Sequence, residues 1–341
     1  AITRRSHATA SVAPPPYARP FTQAIVLPPD GSIAYVRAVA YQVDGNQTED
    51  LVFVNAPDNL EELDVQFVEL YTTVLDGANR PVRDLEQSDF QVLEDGRPQR
   101  IEVFGRAHEP GQDDLLALDL GLLFDTSESM LAELKLSQEA AVRFLESIPR
   151  AHDLLTIFFD NDIRVSRYDS ESQQGLFDRI LQAKGGGQTA LYDAVAVYLS
   201  RVADSPGRKV LVLFSDGEDS NSTLNRREAM QLLKSSSVTV YAIGFHGSAS
   251  PGSVRALGAR SVLREMTATT GGALFQPVSS RELGGIYERI LGDLEGQYVL
   301  GYSPAGSPKA PRAYRKLRVT SRPGLKVRHR EGYFPPQPAD N

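Results

Sequence analysis

The stretch that most constrains what this chain can fold into is Leu115–Met130, LLALDLGLLFDTSESM. An apolar run bounded by acidic residues stops abruptly at Asp125-Thr126-Ser127-Glu128-Ser129, and a helical pattern follows. That order predicts a buried parallel strand whose carboxyl end opens into a polar loop, which is where ligands bind in open α/β sheets. Asp125, Ser127 and Ser129 alternate, so an extended turn would bring their oxygens toward one point. Three converging oxygen side chains ask for a hard cation. Magnesium fits best, with ligands at about 2.0–2.1 Å and the remaining positions left to water or to a partner's carboxylate.

Two further oxygen donors are expected from other loops on the same sheet edge. Thr189 follows the glycine-rich turn Gly185-Gly186-Gly187-Gln188 and precedes a helical pattern that begins at Ala190. Asp216 ends the apolar strand Lys209 to Phe214. The sequence DxSxS, then a Thr after a glycine-rich loop, then an Asp closing a later strand resembles the metal-ion-dependent adhesion site of von Willebrand factor A domains. A lone DxSxS is common in turns. The ordered triple, each part at the end of a predicted strand, is far more specific. Its plain alternative is a set of helix caps and turn residues. The resemblance implies a Rossmann-like domain in which Asp125, Ser127, Ser129, Thr189 and Asp216 hold Mg²⁺, or Ca²⁺ or Mn²⁺ in its place, directly or through water. It also implies a protein partner that supplies an Asp or Glu carboxylate to the metal.

The chain has 341 residues, 41% of them hydrophobic, which is enough for two or three domains with their own cores. No window approaches the roughly 20 apolar residues of a membrane span. There is no cysteine, so disulfides, thiolate metal sites and a cysteine nucleophile are excluded. The net charge of −8 disfavours general binding to nucleic acid or acidic membranes and suits a cation site. The beginning, Ala1-Ile2-Thr3-Arg4-Arg5, lacks the apolar core of a signal peptide, as would a mature exported protein.

Taken in order, residues 1–20 read as an extended Pro-rich tail, with Pro14-Pro15-Pro16 and Pro20. Residues 21–56 carry three strand signals, Thr22–Leu27, Ile33–Val43 and Leu51–Val54, with turn chemistry at Asp44-Gly45-Asn46. Three strands cannot bury a two-sided core, so this segment is expected to be a partial immunoglobulin-like unit completed from elsewhere. Residues 57–107 alternate as a β-sandwich segment, with hairpin turns at Asp76-Gly77 and Asp95-Gly96. Residues 108–114 read as a linker. Residues 115–296 alternate strand and helix, among them a hairpin turn at Asn161-Asp162, a helix over Arg226–Ser235 and a strand over Ala273–Val278, which implies right-handed crossovers and a sheet covered on both faces. The von Willebrand factor A resemblance covers this whole segment. Residues 297–335 return to β strands that are expected to pair with the N-terminal β segment. The predicted fold class is therefore α/β, a Rossmann-like von Willebrand factor A domain inserted in or flanked by immunoglobulin-like β-sandwich segments. That layout is similar to a group of bacterial secreted von Willebrand factor A-related proteins, which implies a secreted, periplasmic or cell-surface location.

Other motifs argue less. The basic set Lys309, Arg312, Arg315, Lys316, Arg318, Arg322, Lys326, Arg328 and Arg330 reads as the solvated face and edge of a sheet, where charge discourages unwanted pairing, in preference to a grip on an acidic partner. The five histidines share no metal spacing, and no G-x-S-x-G elbow surrounds Ser127 or Ser129. Asp193, one turn beyond Thr189, would either support the metal loops or cap a helix. The expectation is a non-enzymatic, cation-dependent adhesion or protein-binding module. The alternatives are a subunit of a surface assembly joined by strand exchange at β edges, and a metal-dependent hydrolase for which no base or nucleophile can be named.

Overall fold

A computed structural model of the chain describes residues 34–41, 47–54, 67–107, 118–147, 153–168, 172–203, 205, 208–247, 250, 252–304 and 313–335. The chain divides into two compact units, residues 1–64 and residues 65–341. In the first, β1 (Ala34–Tyr41) and β2 (Gln47–Val54) form an antiparallel hairpin, with Ala34 opposite Val54 and Tyr41 opposite Gln47. The second strand starts four residues earlier than its apolar run suggests, because the hairpin register continues through Gln47-Thr48-Glu49-Asp50. The signal at Thr22–Leu27, the linker at residues 108–114, and Lys309 and Arg312 of the basic set lie outside the described residues.

In the second unit the chain begins with β3 (Val68–Leu75), β4 (Gln91–Glu94), β5 (Arg97–Gln99) and β6 (Val103–Arg106). The β4–β5 turn places Asp95 and Gly96 at φ 49° and 79°, the two positive values that a tight hairpin turn requires. The α/β segment follows: β7 (Leu118–Asp125), α1 (Leu134–Ser147), β8 (Asp153–Phe159), β9 (Ile163–Tyr168), α2 (Gln173–Gln182), α3 (Leu191–Val202), β10 (Arg208–Ser215), α4 (Arg226–Ser235), β11 (Thr239–Gly244), α5 (Val254–Thr270), β12 (Leu274–Phe275) and α6 (Leu283–Gly296). The strand expected over Ala273–Val278 shrinks to the two residues of β12. The chain closes with β13 (Tyr298–Tyr302), β14 (Arg315–Thr320), β15 (Lys326–Arg328) and β16 (Gly332–Tyr333).

The six strands of the α/β segment form one sheet in the order β12-β11-β10-β7-β8-β9, parallel except for the edge strand β9. The middles of its interior strands are almost wholly apolar, with Thr156 as the exception, because both faces are covered. On one face, Leu120, Leu122, Phe124, Val212 and Phe214 pack with Phe144 of α1, Ile180 of α2 and Ile290 of α6. On the other, Leu123, Leu211 and Leu213 pack with Tyr198 of α3, Met230 of α4 and Leu263 of α5. Tyr198 lies directly over Gly121, where a Cβ would come within 2.0 Å of its ring, so β7 needs glycine there.

The chain leaves β7 into α1 on one face and leaves the adjacent β10 into α4 on the other. Neighbouring parallel strands whose connections diverge in this way open a crevice at their carboxyl ends, the usual ligand position in such sheets.

Two antiparallel four-stranded sheets, β15-β3-β13-β6 and β16-β14-β4-β5, enclose a separate apolar cluster that includes Leu70, Val92, Tyr298, Leu300 and Val319. Strand β13, which directly follows α6, pairs with both β3 and β6, so the strands on either side of the α/β segment belong to one sheet. The basic set is not a solvated edge as a whole. Arg315 is buried against Glu94, which also accepts from the Tyr302 and Tyr333 hydroxyls at 2.7 and 2.8 Å. Arg322 pairs with Asp89 at 2.7 Å and Arg328 with Asp293. Alternation had marked these positions as one face, but their acidic partners lie more than 30 residues away in sequence. Lys316 and Arg318 are exposed, as the alternation suggests.

Candidate metal centre

Asp125 is the last residue of β7, and Asp216 directly follows β10. The two strands are hydrogen-bonded neighbours with Phe124 opposite Phe214, so their register alone brings both carboxylates to the mouth of the crevice. Asp125 is fully buried. Its Oδ1 accepts from the Ser127 amide at 3.0 Å and the Ser127 hydroxyl at 2.6 Å, and its Oδ2 accepts from the Ser215 hydroxyl at 2.6 Å. The Ser127 and Ser129 hydroxyl oxygens lie 3.1 Å apart. The first loop therefore gathers Asp125, Ser127 and Ser129 as its spacing predicts.

Asp216 sits within the field of Asp125. Its Oδ1 accepts from the Glu218 amide at 3.0 Å, while its Oδ2 is buried without a hydrogen-bond partner. Gly247, at φ 63°, passes so close that a Cβ there would lie 2.0 Å from this Oδ2. Burial, followed by repulsion from Asp216, pushes the Asp125 carboxyl up to about 7. Burial likewise raises Asp216, against the lowering effect of the Glu218 amide and the Ser129 hydroxyl.

The glycine loop is tied to the first loop by the Gly186 amide donating to Thr126 O at 2.8 Å and the Glu128 amide donating to Gly187 O at 3.0 Å. Gly187 adopts φ 79°, with Asn161 where a side chain would stand. Thr189 is buried just beyond, its amide donating to the Ser220 hydroxyl and its carbonyl accepting from the Ser220 and Asn221 amides. Among the described residues its hydroxyl makes no hydrogen bond to the other four predicted ligands. Asp193 accepts from the Thr223 and Leu224 amides at 2.7 and 3.0 Å, so it anchors the loop after Asp216 to α3.

Ser215 escaped sequence reasoning because it reads as the last strand residue, and only the register shows that it faces Asp125. The Thr126–Asp160–Arg164 cluster was also missed. The Thr126 hydroxyl donates to Asp160 at 2.8 Å, and Arg164 donates to both at 3.0 and 2.6 Å, which pins the first loop to the β8–β9 hairpin. The only sequence signal nearby was the Asn161-Asp162 turn, read as a hairpin connection, with Asp160 taken as the end of the preceding strand.

The donor set fits a small hard cation. Octahedral ligands at about 2.0–2.1 Å stand roughly 2.9 Å apart along each edge, and the 2.6 and 3.1 Å separations of Asp125 Oδ1, Ser127 Oγ and Ser129 Oγ bracket that value. A buried carboxylate oxygen with no donor is costly unless a cation meets it. Among the described residues no three His, Cys, Asp or Glu side chains form a metal-ligating group, so the candidate set is two carboxylates plus hydroxyls.

No curated protein matches this chain. Similar solved structures include a von Willebrand factor type A protein from Catenulispora acidiphila, 12% identical with a TM-score of 0.44, the match covering 80% of this chain and 75% of that one. The open conformation of the pilus adhesin SpaC from Lactobacillus rhamnosus GG is 11% identical with a TM-score of 0.45, covering 76% of this chain and 48% of that one. The conserved hypothetical protein BatB from Bacteroides thetaiotaomicron is 14% identical with a TM-score of 0.42, covering 52% of this chain and 98% of that one. The family model for the von Willebrand factor type A domain matches residues 119–289, half of the sequence, and the chain belongs to that family.

Proposed function

We propose that this protein binds a protein partner through a divalent cation held at the β7/β10 crevice, outside the cytoplasm, and that it is not an enzyme. The observation that carries this reading is the pair of buried carboxylates, Asp125 and Asp216, on neighbouring strand ends, one of them with a buried oxygen that no donor meets. Two carboxylates taken out of water beside each other are unstable as anions and become favourable around a positive ion. Asp125, Ser127, Ser129, Thr189 and Asp216 would hold Mg²⁺, which supplies the charge that attracts a carboxylate from the partner. The protein's own residues orient the site. Ser215 and the Ser127 amide fix the Asp125 rotamer, the Thr126–Asp160–Arg164 cluster fixes the first loop, and Asp193 fixes the loop after Asp216.

Magnesium alone tests the reading. Millimolar Mg²⁺ should raise the melting temperature of the full chain, because a ligand that binds only the folded state stabilises it by mass action. Chelator should reverse the rise, and Asp125→Ala should abolish it while leaving a cooperative transition. A melting temperature indifferent to Mg²⁺, Ca²⁺ and Mn²⁺ alike in the parent chain would sink the proposal.

A further inference from the structure

Strand β14 is completed along one edge by the segment that follows β15. Arg315 and Lys316 pair with Tyr333 and Gly332 of β16, and the Leu317 amide donates to Glu331 O at 2.8 Å. One step further, the Val319 amide donates to the imidazole Nε2 of His329 at 3.0 Å, so a side chain closes the ladder where a carbonyl would ordinarily stand. On its other side the same segment meets the end of α5. The Glu331 amide donates to Thr269 O at 3.1 Å, and Gly271 lies so close that a Cβ there would stand 2.6 Å from the His329 carbonyl carbon. Residues 329–331 therefore form a strap between β14 and the carboxyl end of α5.

Both ring nitrogens of His329 are committed. An amide can only donate and a carbonyl can only accept. Nε2 therefore turns its lone pair to Val319, and Nδ1 carries the proton that it donates to Arg330 O at 2.7 Å. The neutral imidazole satisfies both neighbours. The imidazolium cannot, because a proton on Nε2 would face the Val319 N–H, donor against donor.

The surroundings bear on the same proton. The ring is half-buried, and burial favours its neutral form, against the opposing pull of the Arg330 carbonyl and of Glu331. His329 lines a hollow of about 490 Å³ together with Arg264 of α5, Arg328 of β15, Glu331, Leu317 of β14 and Leu274 of β12. Arg328 is held by Asp293, and Arg330 by the carbonyls of Gly332, Lys234 and Ser236. Lys316 and Arg318 of β14 are exposed. The hollow is large enough for water, which gives a proton a route to the ring.

We propose that His329 is an acid-sensitive clasp: protonation of its imidazole releases the strap of residues 329–331 from β14 and loosens the end of α5 from the β strands, while the central α/β sheet stays folded. The clasp is a property of the fold and does not depend on the cation reading.

Hydrogen exchange of the full chain, read by mass spectrometry and corrected for the intrinsic pH dependence of exchange, tests this between about pH 7.5 and about pH 5. Peptides covering residues 315–320 and 329–333 should lose protection roughly tenfold per pH unit below 6.5, since the open strap frees an imidazole that binds its proton more tightly. A peptide covering β7 should keep its protection over the same range. His329→Gln retains an acceptor but cannot titrate, and should flatten the dependence. Glu331→Gln removes the carboxylate that favours the imidazolium and should move the loss to lower pH, a shift that remains readable if His329→Gln fails to fold. Strap protection unchanged down to about pH 5, a loss shared equally by β7, or a pH profile that neither substitution alters would overturn the proposal.

Discussion

Asp125 is held in two incompatible ways. Three donors favour its carboxylate, yet complete burial and the neighbouring Asp216 push its carboxyl up to about 7. The sign of the consequence follows from linkage. A carboxyl whose folded value lies above its unfolded value of 3.8 binds its proton more tightly in the folded state. Its contribution to stability is therefore full at low pH and is lost as pH rises toward and through about 7. In chelator, the parent chain should lose stability between pH 4 and 8 relative to Asp125→Asn, by about 4 kcal/mol at most. Denaturant midpoints of the two chains measured across that range check it, and millimolar Mg²⁺ should flatten the parent's slope. The comparison with the variant matters because His329 acts in the other direction. Burial lowers that imidazole, whose Nε2 accepts from the Val319 amide at 3.0 Å, so its contribution is present above 6.5 and fades as pH falls. Two chains with identical slopes would show that Asp125 is not charged and buried as described.

At this scale the sequence was most informative where the chemistry is local. Asp125, Ser127 and Ser129 lie within five residues, and their spacing alone brings their oxygens together. Ser215 and the Arg164–Asp160 pair depend on strand register and on a hairpin folding back, which no residue pattern encodes. The same reason explains the basic set. The alternation of Arg315, Leu317 and Val319 was visible, but it could not reveal that Arg315 faces inward onto Glu94, 221 residues away.

Elements end where backbone chemistry allows, and α5 shows how sharply. Its helix stops at Thr270 because Gly271 takes φ 81° and Gly272 follows. A Cβ at Gly271 would stand 2.6 Å from the His329 carbonyl carbon, and one at Gly272 would stand 1.9 Å from Val240 O. This glycine pair lets α5 turn against β11 and receive the Glu331 amide on Thr269 O at 3.1 Å. Gly271→Ala should therefore cost about 1–3 kcal/mol, since a left-handed residue with a side chain is strained even in open space and here it also meets backbone. Gly285, inside α6 with nothing within 4 Å of its notional Cβ, is the opposite case, and Gly285→Ala should stabilise by roughly 0.5–1 kcal/mol. Thermal midpoints of the two variants should move in opposite directions, and a shared direction would contradict this account of how α5 ends. Long amphipathic helices were legible from period alone, with α4 matching its expected span residue for residue. The two-residue β12 was not, because an edge strand this short is set by its pairing to Ala242 and Ile243 rather than by its own apolar run.

The whole second unit is held together by a polar seam rather than by one continuous apolar core. The clusters on the two faces of the α/β sheet and the cluster between the two β sheets are distinct. Between them stand Arg208 on Leu294 and Gln297, Gln297 on the Thr73 hydroxyl at 3.0 Å, Arg330 on the last carbonyls of α4, and the ion pair of Arg328 with Asp293. Strand β13 enters the β body straight from α6, so loosening the seam should disturb both halves at once. Asp293 is nearly fully buried, and burial raises its carboxyl even with Arg328 beside it. Removing the arginine leaves that acid alone in a dry site, which costs about 3–5 kcal/mol when one partner of a buried pair is deleted. Arg328→Ala should accordingly lower the calorimetric transition of residues 65–341 by several degrees as a single event. Adding Asp293→Asn to the same chain should restore part of the loss, because the stranded charge is gone and a double change at touching sites is not additive. If Arg328→Ala instead split the trace, leaving one transition at the parent temperature, the α/β segment and the β body would be independent folding units joined only by their connections.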